Sequence, residues 1–293
     1  MRNNIDDIDF SFGKYSSTSL HEEYDNYLRF SDYVDALPAE VKRAKNISGR
    51  NKNYNNISSL FSSFCKSNKK NSTLFRKGIS SNDSLINTWL SFVYEKENFI
   101  CSMANIPPYS PITVEKLNDF TKNSINEDFP LNAPKALLEL GIVLVYEQFI
   151  PSAKVDGVVY VNDNGNPVIG MSLRFGRIDN FWFTLMHELS HVLLHYNKLD
   201  SPIVDDTERT IDPEDLIEAQ ADRMALDLLI PRNMWRGCAA KRSLKEDELF
   251  SFAKEVGIHP AIVAGRIRSE TKSYKYFSKI VNKVNVREII FNV

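Results

Sequence analysis

The sequence is poor in cysteine. Three occur in 293 residues, Cys65, Cys101 and Cys238, far apart and without a C-x-x-C pair. An odd, sparse set builds neither a disulfide framework nor a thiolate metal site, and it fits a reducing cytoplasm in which each thiol is a small buried or half-buried hydrophobe. Long apolar runs are also missing: no stretch approaches the roughly 18 residues of a membrane span, so no membrane partner is expected. The first residues, MRNNIDDIDFSFGKYSS, are acidic and polar and read as neither a signal nor a transit peptide. With 43% hydrophobic and 25% charged residues and no internal repeat, the remaining class is a soluble globular protein of one large or two small domains.

The near-neutral total charge, −2, conceals an uneven distribution. Residues 1–40 carry 3 basic and 9 acidic side chains, whereas 41–80 carry 10 basic and none acidic. The basic block interleaves Lys42, Arg43, Lys45, Arg50, Lys52, Lys66, Lys69, Lys70, Arg76 and Lys77 with Tyr54, Phe61, Phe64 and Phe75. Basic residues mixed with aromatics can track a phosphate backbone and stack on bases, so 41–80 is a candidate DNA contact. The alternative is a solvated connector that docks on the acidic remainder.

From residue 81 the pattern is that of a folded globule. Asp83 or Ser84 can cap a helix carrying Leu85, Ile86, Trp89, Leu90, Phe92 and Val93, which IPPYSPIT (106–113) breaks. A helix through Val114, Leu117 and Phe120 follows, then a short one opened by Asn132-Ala-Pro134 and stopped at Gly141. IVLVYEQFI reads as a strand, and VVYV (158–161) and PVIGMSL (167–173), joined by NDNGN, as a hairpin entered through a turn at Asp156-Gly157. The strand at 167–173 can offer an edge to an extended substrate. Beyond it the pattern is helical to about residue 270. The expected fold is α+β: mostly helical, with a small β-sheet packed beside the helix that carries the chemistry. The expected organisation is an acidic stub (1–35), a candidate for disorder, then a basic connector and helical region (36–130), then a catalytic domain with C-terminal helices (131–293).

Five histidines occur in the chain, and His187, His191 and His195 fall within nine residues. His187-Glu188-Leu189-Ser190-His191 is an H-E-x-x-H on an apolar-periodic stretch. Residues at i and i+4 share a helix face, so both imidazoles can reach one Zn²⁺ while Glu188 serves as general base toward an activated water. A third ligand must come from elsewhere. A metzincin would place a His six residues after His191, and that position is Asn197. A gluzincin brings a Glu from a downstream helix, often in E-x-x-x-D. The segment IDPEDLIEAQADRMALDLLIP supplies Glu218 as ligand and Asp222 as the residue that orients a liganding imidazole. Glu214 and Asp215 are competing carboxylates, or helix-start charges favoured by the macrodipole.

These residues resemble a known family. DGVVYVNDNGNPVIGMSLRFGRIDNFWFTLMHELSHVLLH, followed by EAQADRMALDLLIP and GIHPAIVAGRIR, is similar to the ImmA/IrrE metallopeptidases. The resemblance is strong over about 132–270 and weaker over 36–131, through LPAEVKRA, LFRKG and the Trp89 helix. It is closest to a longer branch, HigA-like antitoxins or regulators, in which a helix-turn-helix precedes the equivalent of residue 36. In that place this sequence has only its acidic stub. The resemblance implies a gluzincin-like protease that cleaves or inactivates a helix-turn-helix repressor in mobile elements, stress responses or phage defence. It maps His187, His191 and Glu218 onto ligands of one Zn²⁺ per chain and Glu188 onto the catalytic base. One departure is Gln220, where the family often has a second Glu.

Other positions have two readings each. His195 can border the site as an oxyanion or substrate contact, or pack at the helix end. Arg174 and Arg177 can bind substrate or lock a loop to acidic residues, and His259 before Pro260 reads as a helix-start residue. For the whole chain, the expected function is a cytoplasmic zinc endopeptidase acting on a partner regulator. The alternative is an antitoxin-like DNA- or protein-binding regulator that keeps the zinc fold with little turnover.

Overall fold

The computed structural model describes residues 27–31, 34–35, 37, 39–44, 47, 60–62, 64–65, 81–151, 153–199, 203–205 and 214–292. Most of the acidic stub and of the basic block lie outside the described residues, as do the side chains of Glu214 and Asp215. The chain divides into two compact units, Met1–Phe61 and Ser62–Val293. In the first, helix α1 (Ala39–Ala44) lets the Lys42 Nζ donate to the Asp35 carbonyl at 3.0 Å, and Phe30 meets Phe61 edge to face.

The second unit is a mostly helical α+β fold. It opens with α2 (Ser81–Met103), which starts before Asp83 and Ser84, so those residues sit in the first turn rather than capping it. Its buried face, including Trp89, Leu90, Phe92 and Val93, covers one side of the sheet, and Tyr160 donates to Glu97 at 2.8 Å. Helix α3 (Val114–Thr121) is capped by the Thr113 hydroxyl. Helix α4 (Phe129–Leu138) runs through Pro134, where the sequence suggested a start. Proline lacks the N–H that would bond the carbonyl four residues back. Here the Tyr146 hydroxyl donates to that same carbonyl, Pro130 O, at 2.8 Å, so the helix continues without an orphaned acceptor.

Four strands form one mixed sheet: β1 (Val143–Tyr146), β2 (Gly157–Val161), β3 (Pro167–Met171) and β4 (Ile203–Asp205), in the order β1-β3-β2-β4. The hairpin β2–β3 is antiparallel, with Gly165 at φ +79° in its loop, and β1 lies parallel to β3. Two sequence expectations change. Residues 167–171 are an inner strand, hydrogen-bonded on both sides, so they offer no free edge; the outer strands are β1 and β4. Asp156-Gly157 is not a turn, because Gly157 opens β2 and pairs with Met171 on one side and Asp205 on the other.

Helix α5 (Ile178–His195) crosses the other face of the sheet. Ile178, Phe181, Trp182, Leu185, Met186, Leu189 and Val192 are buried beneath it, each contributing about 1.5–3 kcal/mol by removal from water. After β4 come α6 (Glu214–Leu229), α7 (Arg232–Gly237), α8 (Ala240–Ser243), α9 (Glu246–Val256), α10 (Pro260–Thr271), α11 (Ser278–Val281) and α12 (Val286–Phe291). His259 is the N-cap of α10, its Nδ1 accepting from the Ala261 N–H at 3.1 Å, which is the structural role read from sequence. Cys238 is buried, and Cys65 and Cys101 are half-buried. Among the described residues no helix is long and apolar enough to cross a membrane.

Candidate metal and active site

The packing of α5 against α6 assembles the site. His187 and His191 stand one turn apart on α5, both buried, and present their Nε2 atoms to each other at 3.1 Å. Glu218 reaches across from α6, its Oε2 3.2 Å from His187 Nε2 and 3.5 Å from His191 Nε2. A tetrahedral zinc with bonds of about 2.0–2.1 Å needs donor–donor edges of about 3.3–3.4 Å, which this triangle approximates.

The outer nitrogens of the two imidazoles support the same fit. His187 Nδ1 meets Asp222 Oδ1 at 2.9 Å, and a carboxylate acceptor there requires the proton to sit on Nδ1. His191 Nδ1 meets His195 Nδ1 at 3.1 Å. With both Nδ1 atoms protonated, lone pairs from two Nε2 atoms and a carboxylate converge with no proton between them. That arrangement repels itself unless a cation occupies the centre, and two imidazoles with one carboxylate are donors suited to Zn²⁺. Among the described residues, His187, His191 and Glu218 are the group able to hold a metal ion.

Electrostatics keep the donors in ligating form. Burial tends to raise the Glu218 pKa, but the adjoining His187 and His191 rings, which favour the anion whenever they take up a proton, outweigh it and bring it from 4.5 to about 2. Burial pushes His191 below its ordinary 6.5, against the pull of Glu218, so its ring stays neutral. An ionised carboxylate beside neutral imidazole is the protonation state that metal binding needs.

Glu188 follows His187 on α5 and is 1% exposed, with its carboxyl against the backbone of β2. A Cβ at Gly157 would lie 2.1 Å from Glu188 Oε1, closer than any real contact. Gly157 is therefore required by the approach of a carboxylate rather than by turn geometry. Nothing in the spacing links residue 157 to residue 188, so this role for Gly157 is invisible without the fold.

The remaining candidates also find places. Arg174 pairs with Asp156 through two 2.9 Å hydrogen bonds, and Arg177 with Asp179 at 2.9 and 3.1 Å. Both engage acidic neighbours, the second of their two sequence readings. Arg287 of α12, unremarked in the sequence, donates to the carbonyls of Leu173 and Arg174 and pins that turn. His195 stands one turn beyond His191, with its Nδ1 3.1 Å from His191 Nδ1. It lies behind His191 and passes its Nε2 to Gln220 Oε1 at 3.0 Å.

Residues 138–268 match the family model Peptidase_M78, the IrrE N-terminal-like domain. A search of curated proteins gave no match. The matched stretch contains β1 to β4, the H-E-x-x-H helix and the helix bearing Glu218 and Asp222. It supports the ImmA/IrrE resemblance: this part of the chain is similar to a metallopeptidase-type hydrolase domain, of a family whose metal is usually zinc.

Proposed function

We propose that the protein is a zinc-dependent endopeptidase that cleaves a partner regulatory protein in the cytoplasm. The substrate in this reading is a helix-turn-helix repressor, and the setting is a stress response, a mobile element or phage defence. The observation that carries the hydrolytic part is the convergence of His187, His191 and Glu218, with the buried Glu188 following His187 on the same helix. The choice of substrate and setting rests on the resemblance to ImmA/IrrE proteins. Residues 131–293 are assigned as the catalytic portion, with 36–130 as a basic connector and helical region.

His187 Nε2, His191 Nε2 and Glu218 would hold Zn²⁺, which would supply Lewis acidity toward water and a peptide carbonyl. The chain does the rest. Asp222 holds the His187 proton on Nδ1 and so directs Nε2 inward. Glu188 takes the proton of the attacking water at its carboxylate and returns it to the leaving amine. Burial of both histidines and of Glu188 keeps bulk water from competing with these transfers.

Changing Glu188→Gln tests the assignment. Zinc content should stay at one per chain while cleavage of helix-turn-helix proteins encoded beside this gene disappears; retained cleavage would remove Glu188 from the mechanism. A second reading, an antitoxin-like regulator with little turnover, is favoured by the 10 uncompensated basic residues of 41–80. It requires DNA binding that falls steeply with salt, and no binding at low salt would end it.

A further inference from the structure

The contact behind His191 is continuous. His191 Nδ1 lies 3.1 Å from His195 Nδ1, and His195 Nε2 lies 3.0 Å from Gln220 Oε1. Gln220 Oε1 can only accept, so His195 carries its proton on Nε2. A singly protonated His195 then has a bare Nδ1, which can only accept from His191. The proton of His191 is thereby fixed on Nδ1, and its Nε2 lone pair is left facing Glu218 and His187. Nearby, Asp222 does the same for His187 with a carboxylate.

We propose that His195 and Gln220 are positioning residues that set the tautomer and ring orientation of His191, so that its Nε2 is ready for a metal ion. This deepens the zinc-peptidase reading and rests on it. The two inward-facing imidazoles are thus held by different chemistries, one by an anion and one by a neutral imidazole–amide pair. The neutral pair orders the proton without adding a second negative charge behind the site. A glutamate at 220 would add one, so the amide suits a centre that already contains Glu218.

The test compares two replacements of His195, a side chain 5% exposed. His195→Leu fills the space with an apolar group and removes the acceptor. His195→Asn is smaller but places Oδ1 where Nδ1 now stands. Zn²⁺ affinity is measured by competition with a chromophoric chelator, and the imidazole ¹⁵N shifts of His191 are read in the metal-free protein. The expectation is that His195→Leu weakens zinc binding about 10–100-fold and leaves His191 in mixed tautomers, whereas His195→Asn stays close to wild type in both. A packing role predicts the reverse order, Leu tolerated and Asn harmful, and that result overturns the proposal. Equal affinity and equal tautomer populations in all three proteins also overturn it. If wild type binds no zinc, the peptidase reading fails, a result distinct from a wild type that binds zinc beside variants that do so equally well.

Discussion

The two helices that build the site contribute in contrasting ways. Helix α5 presents His187, Glu188 and His191 from a buried stripe, with side chains 2% exposed or less. Helix α6 presents Glu218 and Asp222 from a face open to solvent, at 27% and 55% side-chain exposure. The α5 groups are fixed by core packing, by β2 and by one another. Helix α6 is itself anchored in the core by Ala225, Leu228 and Leu229, and Glu218 and Asp222 reach out from it to the histidines. One wall of the site is built by folding and the other is completed by docking, so damage on the two sides should have different signatures.

The largest effect should come from the docked side. Glu218→Ala is expected to abolish stoichiometric zinc, and cleavage with it, while the metal-free protein keeps its circular dichroism spectrum. Full zinc occupancy, measured by elemental analysis, would reassign the third ligand. On the built side, Gly157→Val should reverse the signature: zinc retained, and cleavage down about 100-fold or more because Glu188 is displaced. Loss of zinc there would show that β2 shapes the ligands and not the base alone. Asp222→Asn should be milder, weakening zinc about 10–100-fold in a chelator competition.

Acid sharpens the comparison further. His191 has a lowered pKa in the folded state, so its stabilising contribution is present above 6.5 and declines as pH falls below that value. The Glu218 contribution is complete above 4.5 and is lost as pH falls toward about 2. The melting temperature of the metal-free protein should therefore decline in two stages, and Glu218→Gln should shrink the lower one, which Glu127 also feeds. A single stage in wild type would contradict the separate anchoring of the two walls.

What the sequence revealed follows from how local each feature is. His187, Glu188 and His191 share one helix, so spacing alone places them on a common face. Glu218 and Asp222 follow the same logic on a helix that ends before Pro231, and the NDNGN loop announces the β2–β3 hairpin. Features that depend on distant partners were out of reach. Pro134 looks like a helix start until Tyr146 supplies the hydroxyl that lets the helix pass through it. Residues 167–171 look like an edge strand until β1 pairs on their far side, and β4 is only three residues long. Gln220 and His195 are 25 residues apart and meet because α5 packs on α6. Gly157 resembles a turn glycine because the carboxyl that needs its bare Cα lies on another element.

The connection between those two helices has a further consequence. His191 and Glu218 lie at the two ends of a ring of about 27 residues, and an ion that grips both closes it, removing chain entropy from every state in which they are joined. Partway round that ring, β4 is stitched to β2 at Gly157–Val159, next to Glu188. A metal ion bound by these residues would be a clasp as well as a reagent. Opening it would slacken the ring on the α6 side while the sheet still held the middle, so loss of the ion could disarm the protein without unfolding it.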